Sequence, residues 1–398
     1  MAADIAFDIR YALGQGGYGE VYLATEHLPD GGQREVALKV LRVRDPHSDE
    51  VKRLRDEAAL LALLNHPAIL TGHRLSWIDG RLSFVAEFLG GTDLSAYVSP
   101  PLLPPRVALE MVAGIAEALD HAWSLPHPQT GQPLRLVHRD IKPDNIRVLP
   151  DGSLRLLDFG IAKAPDLDRH ARTAAGAVLL TPGYGPPELL AFGVSTAAGD
   201  VYALGVTLFQ LLTGEELHQG RPIDYQLALA FDTESYREFL EERLELPPLG
   251  TELLADCLQY PSERRPTARR MAEACRTLAG RLTDEPSLTA WARAQRFPEP
   301  RPVDIPNGLQ GHQVSRTGKV IATERPAPPR AHTEARQPPA ERSTPQPPAA
   351  RSTPMGSATR TAQAPPSAGP KVLLASLVLG GAALFGGVLL LLLALLLR

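Results

Sequence analysis

The sequence predicts an α+β protein, with strands before about residue 90 and helices after it, carried on a single C-terminal membrane helix. Three observations predict this. Short strand-like runs broken by glycine-rich turns fill residues 9–89, and apolar residues at helical spacing dominate from Arg106 onward. The third is the run from Val372 to Leu397, 26 residues without a charge.

Length alone allows about two or three compact units in a chain of this size. Residues 298–370 hold 16 of the 38 prolines and few large apolar side chains, which predicts a region that builds no core. The predicted organisation is one globular domain over 7–282, a proline-rich disordered linker over 283–370 and a membrane helix over 372–397. A formal net charge of −4 shows no basic excess, so composition excludes a protein held to nucleic acid by phosphate contacts. Cys257 and Cys275 are the only cysteines and stand eighteen apart without clustered histidines. That pattern excludes a disulfide framework or a zinc site and reads as two small buried apolar residues. His121 and His127 lack further ligands nearby and suggest no metal.

In chain order, Ile9–Leu13 and Glu20–Ala24 read as strands joined by Gly14-Gln15-Gly16-Gly17-Tyr18-Gly19. Dinucleotide-binding folds share this glycine spacing but continue into a helix, whereas Val21-Tyr22-Leu23-Ala24 has strand character. Glu35–Leu41 is the next strand, its apolar run interrupted by Lys39. Asp49–Asn65 has helical spacing, with Leu54, Ala58, Leu61 and Leu64 on one face, and Leu82–Leu89 is again strand-like. Arg106–Ser124 predicts a long helix. Pro126, Pro128, Gly131 and Pro133 then predict a loop.

The chemistry concentrates in His138-Arg139-Asp140-Ile141-Lys142-Pro143-Asp144-Asn145, followed thirteen residues after Asn145 by Asp158-Phe159-Gly160. Two acids, a lysine and an asparagine so close together are what holding a hydroxyl, a phosphate and magnesium ions in one place requires. The intervening chain predicts a hairpin around Asp151-Gly152 that brings Asn145 and Asp158 to one mouth.

These motifs in this order resemble the bacterial-type, eukaryotic-like serine/threonine protein kinases. The resemblance implies the two-lobed protein kinase fold, with a small β-rich lobe over about 7–90 and a larger helical lobe over about 91–282. It also implies ATP and magnesium, with manganese as the alternative ion. Leu13, Gly14, Gly16, Gly19, Val21 and Ala37 match the family's nucleotide-covering positions, and Lys39 its phosphate-pairing lysine. Glu57 fits the lysine's ion-pair partner better than Glu50 or Asp56, because it falls in the frame Glu-Ala-x-x-Leu-x-x-Leu-x-His-Pro. Glu87 and Leu89 would contact adenine through their backbone, Asp93 the ribose, and the small Ala86 would leave a pocket behind adenine.

In the catalytic loop the resemblance gives Asp140 the substrate hydroxyl, Lys142 the transferred phosphoryl group, and Asn145 with Asp158 the metal. Lys142, two residues after Asp140, matches the serine/threonine branch. Thr173 and Thr181 are the candidate phosphosites of the activation segment, where a phosphate could pair with Arg139; Thr181 matches the family's threonine that meets Lys142 and Asp140, so Thr173 is the better regulatory site. Glu188 and Arg265 would form a buried ion pair, and Asp200 would brace the catalytic loop. From Glu215 to about Pro248 the match weakens, so substrate preference cannot be borrowed. The rival readings are a pseudokinase scaffold, which should have lost Lys39, Asp140, Asn145 or Asp158, and a kinase-fold enzyme acting on a small molecule.

The uncharged run from Val372 exceeds the roughly 20 residues that cross a bilayer as a helix. Arg342, Arg351, Arg360 and Lys371 precede it with no acid after Glu341, which predicts a single pass through the inner membrane with the kinase domain in the cytoplasm. Met1–Arg10 carries Asp4 and Asp8 and no apolar leader core. The repeat of Arg342-Ser343-Thr344-Pro345 as Arg351-Ser352-Thr353-Pro354 reads as a solvated spacer bearing hydroxyls. Ala382, Gly386 and Gly387 form a small-residue face suited to pairing with a second copy. The expected partners are protein substrates and the membrane, and nucleic acid is not among them.

Overall fold

The computed structural model describes residues 5–321, apart from 17–18, 43, 49–50, 53–54, 56–57, 60–61, 71, 160–182, 219–231 and 245–247. Strands β1 (Ile5–Gly16), β2 (Gly19–His27) and β3 (Gln33–Leu41) form an antiparallel meander. β4 (Gly72–Ile78) and β5 (Arg81–Glu87) complete its far side, with β5 against β3. The two-residue period decides which face each side chain takes. In β3, Val36, Leu38 and Val40 are fully buried, so Ala37 and Lys39 fall on the opposite face and remain partly open. The lysine that interrupts the apolar run therefore leaves the core intact. Among the described positions, the helix predicted over 49–65 is seen between 51 and 59, and residues 62–66 have left it.

The second lobe is built around α1 (Pro105–Ser124), which opens with proline in its first turn and buries Val107, Leu109, Met111, Ile115 and Leu119. A short strand β6 (Thr92–Asp93) pairs with β7 (Ile146–Val148), which pairs with β8 (Leu154–Leu156). Next come α2 (Pro187–Phe192), α3 (Ala197–Thr213), α4 (Thr233–Glu241), α5 (Pro248–Leu258) and α6 (Ala268–Ala279). Thr196 caps α3 by accepting from the Gly199 N–H, and Gly214 ends it in the left-handed conformation at φ 73°. Cys257 and Cys275 are buried, unpaired thiols in α5 and α6, and burial pushes both thiols up. The proline-rich loop after α1 folds back on itself, with the Leu134 N–H donating to the Leu125 carbonyl at 2.8 Å and the His127 N–H to that of Gln132 at 2.7 Å.

The first part of the segment predicted as a disordered linker over 283–370 is corrected by the structure, and the rest lies outside the described residues. Residues 287–321 are structured: Ser287 caps α7 (Leu288–Ala294), and β9 (Gln313–Ser315) and β10 (Val320–Ile321) extend the first sheet to the order β10-β9-β1-β2-β3-β5-β4. Ile305, Leu309 and Val314, 2%, 6% and 0% exposed, enter the core between these strands. A proline-rich composition shows that a segment cannot build a core of its own; three spaced apolar residues still suffice to join one already formed. No helix among the described residues is long and apolar enough to cross a membrane, and 372–397, with Ala382, Gly386 and Gly387, lie outside those residues.

The connection between the lobes depends on Gly91, at φ 89°, where a Cβ would stand 2.1 Å from the Val148 carbonyl oxygen. Both the backbone conformation and the contact exclude a side chain. Gly91→Ala is expected to lower stability by about 2–4 kcal/mol, read from the urea midpoint at unchanged slope. A change below about 0.5 kcal/mol would contradict this close approach.

Candidate active site

The β7–β8 hairpin does what the Asp151-Gly152 turn predicts. Ile146 pairs with Leu156, the Leu157 N–H donates to the Asn145 carbonyl at 2.8 Å, and Asn145 and Asp158 emerge at the same end. The Asp151 carboxylate accepts from the Ser153 N–H and hydroxyl and closes the turn, and Gly152 supplies φ 86°.

Asp140 lies at the centre of the catalytic loop. The Asn145 amide nitrogen donates to the Asp140 carbonyl at 2.7 Å and to its carboxylate at 3.0 Å, and the Lys142 ammonium lies 3.7 Å from that carboxylate. With its nitrogen committed, Asn145 has its amide oxygen left to hold a cation. Across the cleft the Lys39 ammonium meets the Asp158 carboxylate at 2.7 Å. Asp158 adopts φ 51°, a left-handed conformation that aspartate tolerates better than most residues with a side chain. Together Asn145 and Asp158 offer hard oxygen donors with room for phosphate oxygens, the ligand set that suits magnesium. Among the described residues no cluster of three or more His, Cys, Asp or Glu could hold a metal alone.

The loop is fixed from beneath. Asp200, in the first turn of α3, accepts the His138 N–H at 2.7 Å and the Arg139 N–H at 2.8 Å. Arg139 is thereby held at φ 68°. The His138 ring bonds the Leu157 carbonyl at 2.9 Å and meets the Phe159 ring edge-on at 4.7 Å, which joins the catalytic loop to the strand end that carries Asp158. Burial pushes the Asp200 carboxyl up to about 7, against the two N–H bonds and the Arg139 charge, which favour the anion. The predicted Glu188–Arg265 pair is present and buried, bidentate at 2.7 and 2.8 Å.

Over the cleft, β1 and β2 make a hairpin with Gly16 opposite Gly19 and Gly14 opposite Val21. A Cβ on Gly14 or Gly16 would meet nothing within 4 Å, which leaves open room of the kind a phosphate cradle needs; one on Gly19 would stand 2.1 Å from the Val40 carbonyl oxygen. Leu13, Val21, Ala37 and Lys39 are all partly exposed. Leu89 is buried, and Glu87 lies near Arg155 at 3.5 Å. Ala86 is buried and paired with Gly72, and the tip of the Phe84 ring lies where a Gly72 Cβ would be. The Phe84 ring therefore packs against Gly72, the strand partner of Ala86. Gly17, Tyr18, Glu57, Thr173 and Thr181 lie outside the described residues, so the lysine–glutamate pair and both phosphosites carry no structural account.

Arg147 was not legible as a site residue. From the middle of β7 it holds the Asp93 carboxylate at 2.7 and 3.1 Å and donates to the Leu89 carbonyl at 3.0 Å. It thus joins two expected nucleotide contacts to the hairpin that carries the expected metal ligands. The pairing of β6 with β7, which sets Asp93 opposite Arg147, has no local sequence signal.

Comparison with known proteins agrees with this geometry. The protein kinase domain model matches residues 7–275, and the chain belongs to the protein kinase domain family. It is 37% identical over 210 residues to serine/threonine-protein kinase PrkC of Bacillus subtilis, covering 52% of this chain and 30% of that one. It is 34% identical over 276 residues to tyrosine-protein kinase MasK of Myxococcus xanthus, covering 67% and 42%. Serine/threonine-protein kinase PknB of Mycolicibacterium smegmatis is 31% identical over 324 residues, covering 74% and 49%. The chain spans less than half the length of each of these relatives.

Because the Asp200 carboxyl is raised in the folded protein, the native state binds a proton that the unfolded chain has already lost between the ordinary carboxylate range and about pH 7. Stability from this group is full below that range and falls as pH rises through about 7. Relative to Asp200→Asn, which does not titrate, the wild type should lose up to about 1.4 kcal/mol per pH unit from about pH 4.5 to 7. Parallel denaturant titrations of the two proteins measure the difference, and a flat difference would refute the raised carboxyl.

Proposed function

We propose that the chain is a membrane-tethered serine/threonine protein kinase that moves the γ-phosphoryl group of ATP to hydroxyls of proteins, its own among them. The observation that carries this is a single cleft with Asp140, Lys142 and Asn145 in mutual contact on one side and the Lys39–Asp158 pair on the other. The names of the PrkC and PknB relatives support the serine/threonine assignment. Lys142 at its place after Asp140 supports it as well.

Asp140 would orient the attacking hydroxyl and accept its proton, held in position by the Asn145 amide. Lys142 would offset charge on the transferred group, and Lys39 would move from Asp158 to the nucleotide phosphates. Asn145 and Asp158 would hold magnesium, which when bound neutralises phosphate charge and aligns the oxygens for in-line transfer. Gly14, Gly16 and Gly19 would let the hairpin close over the phosphates. The uncharged run 372–397 supports the tether, the basic residues before it a cytoplasmic domain, and the Ala382–Gly386–Gly387 face pairing of two copies that phosphorylate each other.

Incubation of the full chain with labelled ATP, magnesium and a generic protein substrate tests the reading. Label is expected on serine and threonine, with Asp140→Asn reduced at least about 100-fold at similar nucleotide binding. Absence of transfer by the wild type overturns the activity, and label confined to tyrosine overturns the residue class, which the name of the MasK relative makes a necessary check.

A further inference from the structure

Residues 301–321 lie beyond the matched domain yet sit against the strands that carry the glycine hairpin. The chain leaves the helical lobe after α7, which is held there by Trp291 against Tyr97 at 5.2 Å and by the Leu288 N–H on Glu110 at 2.6 Å. It then pairs along the outer edge of β1. The Val303 N–H donates to the Ala12 carbonyl at 2.8 Å, the Gly311 N–H to the Ile9 carbonyl at 2.8 Å, and the Ile9 N–H to the His312 carbonyl at 2.9 Å. β9 continues the ladder, with Val314 opposite Phe7. Gly318 then reaches the turn between β4 and β5, where its carbonyl accepts the Asp79 N–H at 3.0 Å and a Cβ on it would stand 2.2 Å from the Trp77 carbonyl oxygen.

One connection leads from this segment to the hairpin. The Leu309 N–H donates to the Tyr22 hydroxyl at 3.1 Å, and that hydroxyl donates to the Glu20 carboxylate at 2.7 Å, which also accepts from Arg81 at 2.9 Å. Glu20 directly follows Gly19, the last glycine of the hairpin. Ala12, bonded by Val303, precedes Leu13 and Gly14. Both stems of the glycine hairpin are thus held from the rear by one strap. Tyr22 is fully buried, so its hydroxyl has no water to replace a lost partner.

We propose that residues 301–321 are a positioning strap for the glycine hairpin, so that nucleotide affinity depends on a segment outside the matched kinase domain. A hairpin with open glycines loses conformational freedom when it closes on phosphates, and stems already fixed reduce that cost at binding. The strap therefore acts on nucleotide affinity more than on the chemical step. This rests on the reading of the hairpin as the nucleotide cover.

The test uses the full chain and three measurements: titration with a fluorescent ATP analogue in magnesium, KM for ATP with kcat, and trypsin cleavage at Arg316 and Lys319 as a report of strap release. Val314→Asp combined with Gly318→Val is expected to expose those sites, raise both Kd and KM for nucleotide about tenfold, and leave kcat at saturating ATP within about twofold. Tyr22→Phe, which removes only the hydroxyl, should keep the strap docked and raise Kd about threefold. A merely structural role would lower the fraction of active protein without moving KM. Strap release at unchanged Kd overturns the proposal; so does an unchanged Kd in Tyr22→Phe if the double variant fails to fold. A wild type that binds the analogue but transfers nothing defeats the proposed activity alone, and one that binds no nucleotide defeats both.

Discussion

The active-site arrangement depends on one buried carboxylate. Asp200 accepts two consecutive backbone N–H groups, from His138 and Arg139, and so fixes the catalytic loop by its main chain. That grip is needed because Arg139 stands at φ 68°, a conformation that a residue with a side chain leaves unless something holds it. The cost of burying the carboxyl is offset by those two bonds and by its place in the first turn of α3, where the helix dipole favours negative charge. His138, whose backbone is held by Asp200, then uses its ring on the Leu157 carbonyl and on Phe159. Asp140 and Asp158 are consequently positioned by one connected set of contacts.

The charges facing the cleft are held much more loosely. Lys39 and Asp158 retain side-chain exposures of 31% and 52%, so their ion pair contributes roughly 0–1 kcal/mol and can be exchanged for phosphate and metal at little cost. The Glu188–Arg265 pair is the opposite case, bidentate with side-chain exposures of 7% and 0%, and removal of either partner would strand a buried charge. The same chemistry thus serves exchange where it is wet and permanence where it is dry. Arg147 lies between these extremes and ties Asp93 and the Leu89 carbonyl to the strand that follows Asn145.

Much of this was legible in the residues. The alternation of β3 puts Lys39 on the face opposite Val36, Leu38 and Val40, the Asp151-Gly152 turn brings Asn145 and Asp158 together, and Asp200 stands as the brace that the resemblance implied. Each is a local pattern or part of a motif. The structured segment after 298 was not legible, because prolines 298, 300, 302 and 306 weaken it as a core builder while Ile305, Leu309 and Val314 find their partners some 300 residues away. The Phe84 ring packed against Gly72 is likewise a contact that no local pattern gives.

By itself the sequence determined the kinds of chemical group present, their order, and the periods that assign each side chain to a core or an open face, since these follow from backbone geometry over a few residues. Tertiary structure alone decided that Arg147 meets Asp93, that Leu309 meets Tyr22, and that the strap meets the edge of β1. Such pairings depend on how the elements close around shared cores, and a backbone edge or a buried hydroxyl accepts any correctly placed N–H whatever residue carries it.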